Sequence, residues 1–366
     1  MQQNDSRPTA QAPPRDIVDE ILNWHAISQY RGEIYGIVIL WIMIFHVNEL
    51  FPKIGPLKNT LGKILDHGMI GVDVFLFISG ISLYFSLKKK SGTVSWLTFY
   101  KKRIQKIGLI YLTLCIPFFL YMYLIYSRNV PALLEQVTFT ANTHSSFWFL
   151  FAILVCYLLY PIIFRFLEQH NNAGLIILYG GIFGGILLSL FFFPEFFVRY
   201  NISLGRYPVF LAGALCGPAV YHRRRIPVGF FMVMLVLLFV LTDGVVVALK
   251  AAGLYNDWGV YYLAIRLRMG LQGVGSVLFL LPFLPILSQG PVGRFLRYTG
   301  SITLELYVLH IISRRLLRGP LELHADSIVS KEIFLILMLL LSYVSAFAYT
   351  KLCGGIAKLF KKVRKG

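Results

Sequence analysis

Among the ionisable side chains inside long apolar stretches of this sequence, where a charge is costly, six are candidates for chemistry. Ionisable groups within the hydrocarbon of a bilayer are rare and mark candidate functional sites. They are His46, Asp73, Arg266, Arg268, Glu305 and His310. The set includes bases, acids and cations, which are the groups that acid–base catalysis requires.

His46 and Asp73 form the first candidate site. A histidine titrates near neutral pH, so it can take a proton from a hydroxyl and return it to a leaving group. A neighbouring carboxylate would fix its tautomer. If the N-terminus is cytoplasmic, the first two apolar stretches bring both residues to the same level near the outer face. We take His46 and Asp73 as candidate catalytic residues, with Arg266 as a candidate donor to an oxyanion. The plainer interpretation is that His46 only bonds a backbone carbonyl.

A later apolar stretch carries Glu305 and His310. On a helix, His310 lies about 7 Å farther outward than Glu305. Thr303, His310 and Arg314 share one helix face, whereas Glu305 points elsewhere. We interpret His310 as a site residue and Glu305 as a polar contact between helices or part of a substrate site.

Helices in a bilayer must position these residues. Of the 366 residues, 57% are hydrophobic and only 14% are charged. A membrane helix needs about 20 mostly apolar residues, and such stretches recur along nearly the whole chain. The sequence therefore predicts an all-α polytopic bundle of about ten transmembrane helices. We place these spans at 33–50, 68–87, 107–126, 147–164, 173–193, 207–221, 229–249, 259–284, 298–316 and 332–353.

The distribution of basic residues predicts the orientation. The net charge of +18 is concentrated in short segments between spans, which is a topology signal and gives no indication of nucleic-acid binding. Lysine and arginine gather at 88–106, 223–225, 294–297 and 358–365, which places both termini in the cytoplasm. Arg314, Arg315 and Arg318 fall on the predicted outer side and are the exception. We expect a multi-pass protein of the plasma or inner membrane that touches lipid.

Three segments follow from this organisation. Residues 1–30 are a polar cytoplasmic tail, in which 16–26 has the spacing of an interfacial helix. Residues 31–355 form the ten-helix domain, and 356–366 are a basic cytoplasmic tail. The four cysteines lack the spacing of a metal site, so we expect neither disulfides nor a bound metal.

Several sequence blocks resemble acyltransferase family 3 in their order and spacing. They are YRGEIYGIVILWIMIFH (30–46), GVDVFLFISG (71–80), FYKKRIQKI (99–107), FWFL (147–150), RYPVFLAGALCG (206–217) and GSITLELYVLH (300–310). The resemblance covers nearly all ten spans. It implies a ten-helix O-acyltransferase that takes acyl groups from acyl-CoA in the cytoplasm and modifies envelope saccharides outside.

The resemblance also assigns residues. The histidine of the family's first helix is His46, and the second block contributes Asp73, Ser79 and Gly80. Family members usually carry Arg-Gly eleven residues before the histidine, where this chain has Tyr35 and Gly36. Arg31 stands one turn earlier on the same face and could replace that arginine.

We expect the acyl-CoA donor to bind at the cytoplasmic ends of the helices. Arg31 is separated from His46 by roughly 22 Å of helix, comparable to an extended pantetheine arm. Arg31, Lys101, Arg103 and Lys106 are candidates for binding the CoA phosphates. A plainer role in topology and anionic lipid contact is equally consistent with the basic run.

Two other functions fit such a bundle. A proton-coupled transporter or flippase also places Arg, Asp, Glu and His in its helices, although no internal repeat is present here. A non-catalytic sensor on the same scaffold would not need His46. The sequence does not specify the acceptor, whether carbohydrate or lipid-linked, nor the oligomeric state.

Overall fold

The described residues form helices joined by short turns, without β-strands. A computed structural model describes residues 22–48, 65–88, 95–141, 147–318 and 328–363. The predicted interfacial helix at 16–26 falls largely outside these ranges. The principal helices are α1 (His25–Gln29), α2 (Arg31–Asn48), α3 (Gly71–Lys88), α4 (Trp96–Ile110), α5 (Ile116–Met122), α6 (Val130–Val137), α7 (Trp148–Glu168), α8 (Asn172–Phe192), α9 (Pro194–Leu204), α10 (Tyr207–Tyr221), α11 (Val228–Ala251), α12 (Trp258–Leu280), α13 (Leu284–Leu287), α14 (Gly290–Ser301), α15 (Thr303–Arg318) and α16 (Ile328–Val363).

Six described helices are long and apolar enough to cross a membrane. They are Gly68–Lys88, Trp96–Ser127, Trp148–Glu168, Asn172–Phe192, Trp258–Leu287 and Glu332–Ile356. A seventh span would be the pair Val228–Leu241 and Gly244–Ala251, which is bent by 62°. The all-α membrane character is confirmed, whereas the count of ten and the orientation stay predictions.

Helices α2, α10 and α15 account for the other three predicted spans and lie in the interior. Close contacts between glycines and backbone bring α3 against α10. A Cβ on Gly213 would lie 2.0 Å from the Phe77 carbonyl oxygen, and one on Gly80 would lie 2.4 Å from that of Phe210. Only glycine permits such an approach. This packing fixes the level of Asp73, near the start of α3.

The predicted span at 298–316 is broken at Ile302, where α14 ends and α15 begins. Local hydroxyl groups accompany the break. The Ser301 hydroxyl donates to the Tyr298 carbonyl, and that of Thr303 donates to the Gly300 carbonyl, each at 2.7 Å. Such bonds compete with the helical ladder. Helix α14 packs on α2, where Arg297 and Glu33 form an ion pair at 2.7 Å.

The N-terminal segment and the basic turn at 223–225 meet at one end of the bundle. The Trp24 amide donates to the Arg224 carbonyl at 3.1 Å, and the Ile226 amide donates to that of Leu22 at 2.8 Å. These two segments therefore lie on the same side, as the charge distribution predicts.

Candidate active site

Two histidines from different helices form a hydrogen-bonded pair. His46 lies near the end of α2 and His310 in the middle of α15. The His46 Nδ1 atom is 3.1 Å from His310 Nε2, and the ring centroids are 5.0 Å apart. His310 is fully buried and His46 is half-buried.

The backbone of α15 determines the proton positions in this pair. His310 Nδ1 is 2.9 Å from the Leu306 carbonyl oxygen, which can only accept, so Nδ1 carries a proton. In a neutral His310 ring, Nε2 is then the acceptor and His46 Nδ1–H the donor. His46 Nε2 is left with its lone pair. This is the tautomer that a general base requires.

Arg314 brings a positive charge to the histidine pair. It lies one turn beyond His310 on α15, and its Nη1 donates to the His46 carbonyl at 3.3 Å. Its guanidinium interacts electrostatically with both imidazoles. The sequence analysis placed Arg314 on the histidine face but treated it only as a topology signal.

Asp73 is paired with an arginine and makes no hydrogen bond or ion pair with His46 in the described structure. Its Oδ1 lies 3.5 Å from Arg206 Nε, and both side chains are fully buried. Arg266 lies within electrostatic range of both. The pairing considered from the sequence thus differs from the observed one, because the side chain of Asp73 faces α10 and α12.

Aromatic side chains join the two groups. Tyr307 lies 5.9 Å from the His310 ring and 5.2 Å from Phe149, measured between centroids. The preceding residue, Trp148, lies over the Arg206 guanidinium at 4.7 Å. Tyr307 and the first two residues of α7 thus lie between the histidine pair and Arg206 of the Asp73 cluster, and Arg206 is within electrostatic range of Tyr307.

A cavity of about 230 Å³ is lined both by basic residues and by Tyr307, the neighbour of His310. Lys102, Arg103 and Lys106 line one end, which we call the basic end. Lys102 and Lys106 are exposed there, whereas Phe149 and Tyr307 are buried at the opposite end. Tyr307 links this end of the cavity to His310, although neither histidine lines the cavity itself.

Several predicted donor-binding residues line this cavity. Arg103 and Lys106 do so, but Lys101 does not. Ser79, a further site candidate from the sequence, also lines the cavity. Arg31 is exposed at the start of α2 and interacts electrostatically with Tyr35, which itself lines the cavity. The Tyr35 hydroxyl lies close to the hydroxyl groups of Ser79 and Ser82.

The remaining candidates lie elsewhere. Glu305 lies within electrostatic range of Tyr349 on α16, away from the histidine face, as its helical position predicts. Arg268 lies two residues beyond Arg266 on α12 and is half-buried. Within the described ranges, no group of three or more His, Cys, Asp or Glu side chains could hold a metal ion.

A comparison with models of protein families identifies the family of this chain. The family model described as an acyltransferase domain, of acyltransferase family 3, matches residues 36–351. The chain belongs to acyltransferase family 3. No curated protein and no solved structure matches it. The match covers nearly the whole length of this acyltransferase, as does the resemblance of its sequence blocks.

Besides Arg314, the sequence analysis did not include three residues of this candidate site. Arg206 was visible only as the first residue of an apolar block. Lys102 stands four residues before Lys106 on the same helix face, which was the available signal. Tyr307 stands three residues before His310 and could have been assigned by the same spacing.

Proposed function

We propose that this acyltransferase moves an acyl group, which we expect to be acetyl, from cytoplasmic acyl-CoA to a hydroxyl of an extracytoplasmic acceptor. The acceptor is a cell-envelope saccharide or a similar lipid-linked molecule. The observation that carries the proposal is the His46–His310 hydrogen bond beside a cavity whose other end is basic.

The basic end would hold the CoA phosphates. Lys102 and Lys106 are one helical turn apart and exposed, so two ammonium groups face the cavity mouth. The Arg103 guanidinium is anchored by a 3.2 Å bond to the Phe99 carbonyl and lies 3.8 Å from that ring. Phosphate is the anion that such clusters bind. The pantetheine arm would follow α7 from Tyr157 to Phe149, about 12 Å along the helix.

His46 would act as the general base. Its Nε2 takes the proton of the acceptor hydroxyl while the oxygen attacks the thioester carbonyl. The C–O bond forms, and the negative charge develops on the carbonyl oxygen. Collapse breaks the C–S bond, and the proton on Nε2 passes to the leaving CoA thiolate. The ester and free CoA are the products.

His310 and Arg314 would assist this step in different ways. His310 accepts from His46 Nδ1–H, which keeps Nε2 free and stabilises the imidazolium that forms during transfer. Arg314 is the cation with a direct contact to His46, so it replaces Arg266 as the expected donor to the oxyanion. Arg266 bonds Asn201 and two methionine sulfurs instead.

Purified protein incubated with labelled acetyl-CoA and envelope saccharides tests the proposal. We expect label in an ester of the saccharide, release of free CoA, and loss of both in His46→Ala. Uptake of saccharide into vesicles without CoA release would instead indicate a transporter. Full transfer activity in His46→Ala would exclude the assigned base.

A further inference from the structure

Two buried arginines and one buried aspartate form a cluster that the acyl-transfer step does not use. Asp73 and Arg206 are fully buried, and Arg266 is 7% exposed. Within the described residues, two guanidinium groups and one carboxylate give this cluster a net charge of +1. A buried, uncompensated charge is strongly unfavourable.

The Asp73 carboxylate can compensate the charge of only one of the two guanidinium groups. Both of its oxygens lack a hydrogen bond among the described residues, although Oδ1 lies 3.5 Å from Arg206 Nε in an ion pair. Arg206 Nη1 donates to the Ile202 carbonyl at 2.7 Å, but its Nε and Nη2 make no hydrogen bond among the described residues. Arg266 Nε makes none either. The acceptors of Arg266 are the Asn201 amide oxygen at 3.3 Å and the sulfurs of Met69 and Met269 at 3.7 and 3.5 Å. Thioethers are weak acceptors for a cation.

The backbone at two glycines packs closely against residues of this cluster. Arg206 is the residue immediately before α10, and a Cβ on Gly205 would lie 2.5 Å from Arg266 Cβ. A Cβ on Gly273 of α12 would lie 2.8 Å from Asp73 Cβ. These close approaches bring together the backbone segments that carry the three side chains.

We propose that Arg206 and Arg266 bind an oxyanionic group, a carboxylate or phosphate, carried by the acyl acceptor. Guanidinium groups bind both groups through paired N–H donors, and one such anion would neutralise the cluster. Arg206 lies within electrostatic range of Tyr307, which contacts His310. An acceptor held there by its anion presents a neighbouring hydroxyl to His46. The assignment to the acceptor rests on the proposed function.

Anion-dependent thermal stability of the purified full-length protein tests this site without any acyl donor. The probes are glucuronate, glucose 1-phosphate and inorganic phosphate, with glucose and chloride at matched ionic strength as controls. We expect the three oxyanions to raise the Tm and the controls to leave it unchanged. Inorganic phosphate acting as strongly as the sugar anions supports the site and shows that the sugar ring adds no affinity.

Substitutions at Arg266 locate the effect. Arg266→Met should raise the Tm of the ligand-free protein, because it removes the excess charge among methionines, and should weaken anion binding roughly tenfold to a hundredfold. Arg266→Lys keeps the charge and should retain most of the anion shift. Asp73→Asn should strengthen binding, since it raises the net charge to two.

Three results would overturn the proposal. The first is that the oxyanions do not raise the Tm of the wild-type protein more than the controls do. The second is that they still raise the Tm of Arg266→Met. The third is that Asp73→Asn binds the oxyanions more weakly than the wild type. If Arg266→Met lowered kcat while the wild-type protein bound no anion, the cluster would act only in the transition state, and the proposed binding site would be wrong. Because the assay contains no acyl-CoA, its outcome is independent of whether acyl transfer occurs.

Discussion

A histidine acts as a base only if one ring nitrogen is free and the other is held. In this protein the Leu306 carbonyl fixes His310, and His310 fixes His46, through bonds of 2.9 and 3.1 Å. The Leu306 carbonyl can only accept, so His310 carries its proton on Nδ1. His46 then carries its proton on Nδ1, because His310 Nε2 is the acceptor. His310 is accordingly a positioning residue for His46.

Replacing His310 tests this role. His310→Leu removes the acceptor for His46 Nδ1–H, so we expect kcat to fall by about 10²-fold or more, with little change in KM for the donor. His310→Gln retains an acceptor oxygen and should recover part of the lost rate. Steady-state kinetics in reconstituted membranes measure both. Equal activity of the leucine and wild-type proteins would contradict the positioning role.

At the residue scale, the sequence identified the site members better than their partners. His46 and His310 both emerged from the cost of a polar group in a membrane span. Their pairing did not, because contact across helices depends on the rotation of each helix about its axis. The same reason explains why Asp73 was matched with His46, whereas it faces Arg206.

Among the elements, α4 determines the basic end of the cavity. Consecutive residues on a helix differ by about 100° in direction, so Lys102 faces the cavity while Lys101 does not. The sequence predicted that this basic run binds the donor, but adjacent lysines cannot be distinguished by composition.

Charge reversal at these two lysines separates the roles. Lys102→Glu should raise KM for acyl-CoA severalfold or more and leave kcat largely unchanged, because it repels the CoA phosphates. Lys101→Glu is the matched control and should leave KM close to the wild-type value. Equal effects of the two substitutions would mean that the run contributes only a general surface charge.

The contact between α3 and α10 is a second element-level feature. A Cβ on Gly213 would meet the Phe77 carbonyl at 2.0 Å, whereas nothing lies within 4 Å of a Cβ on Gly181. Gly213→Ala should therefore lower stability by at least about 1–3 kcal/mol. Gly181→Ala should be neutral or stabilise by roughly 0.5–1 kcal/mol.

Thermal unfolding in detergent compares the two alanine variants. An unchanged Tm in Gly213→Ala would show that α3 and α10 can separate without cost. The sequence indicated that Gly80 allows close helix packing, but it did not identify α10 as the partner of α3.

For the whole molecule, composition and hydropathy were sufficient to predict an all-α membrane bundle. The break at Ile302 could not be predicted from hydropathy, because it depends on local bonds made by Ser301 and Thr303. The orientation rests on the basic segments, and the pairing of Trp24 with Arg224 ties the N-terminal segment to one of them.

Site-specific labelling tests that orientation. With the four native cysteines replaced by alanine, Arg224→Cys should react with an impermeant maleimide only after the membrane is opened. Asn256→Cys, in the exposed turn between α11 and α12, should react in intact cells. The reverse pattern would invert the protein and place the basic end of the cavity outside.

The structure of the protein with a bound, non-reactive acyl-CoA analogue tests the central claim most directly. The account predicts CoA phosphates at Lys102, Arg103 and Lys106, and an acyl carbonyl carbon within about 6 Å of His46 Nε2. That spacing leaves room for an acceptor oxygen at about 3–3.5 Å from the carbonyl carbon. An acyl group remote from His46, or phosphates bound away from the basic end, would contradict it.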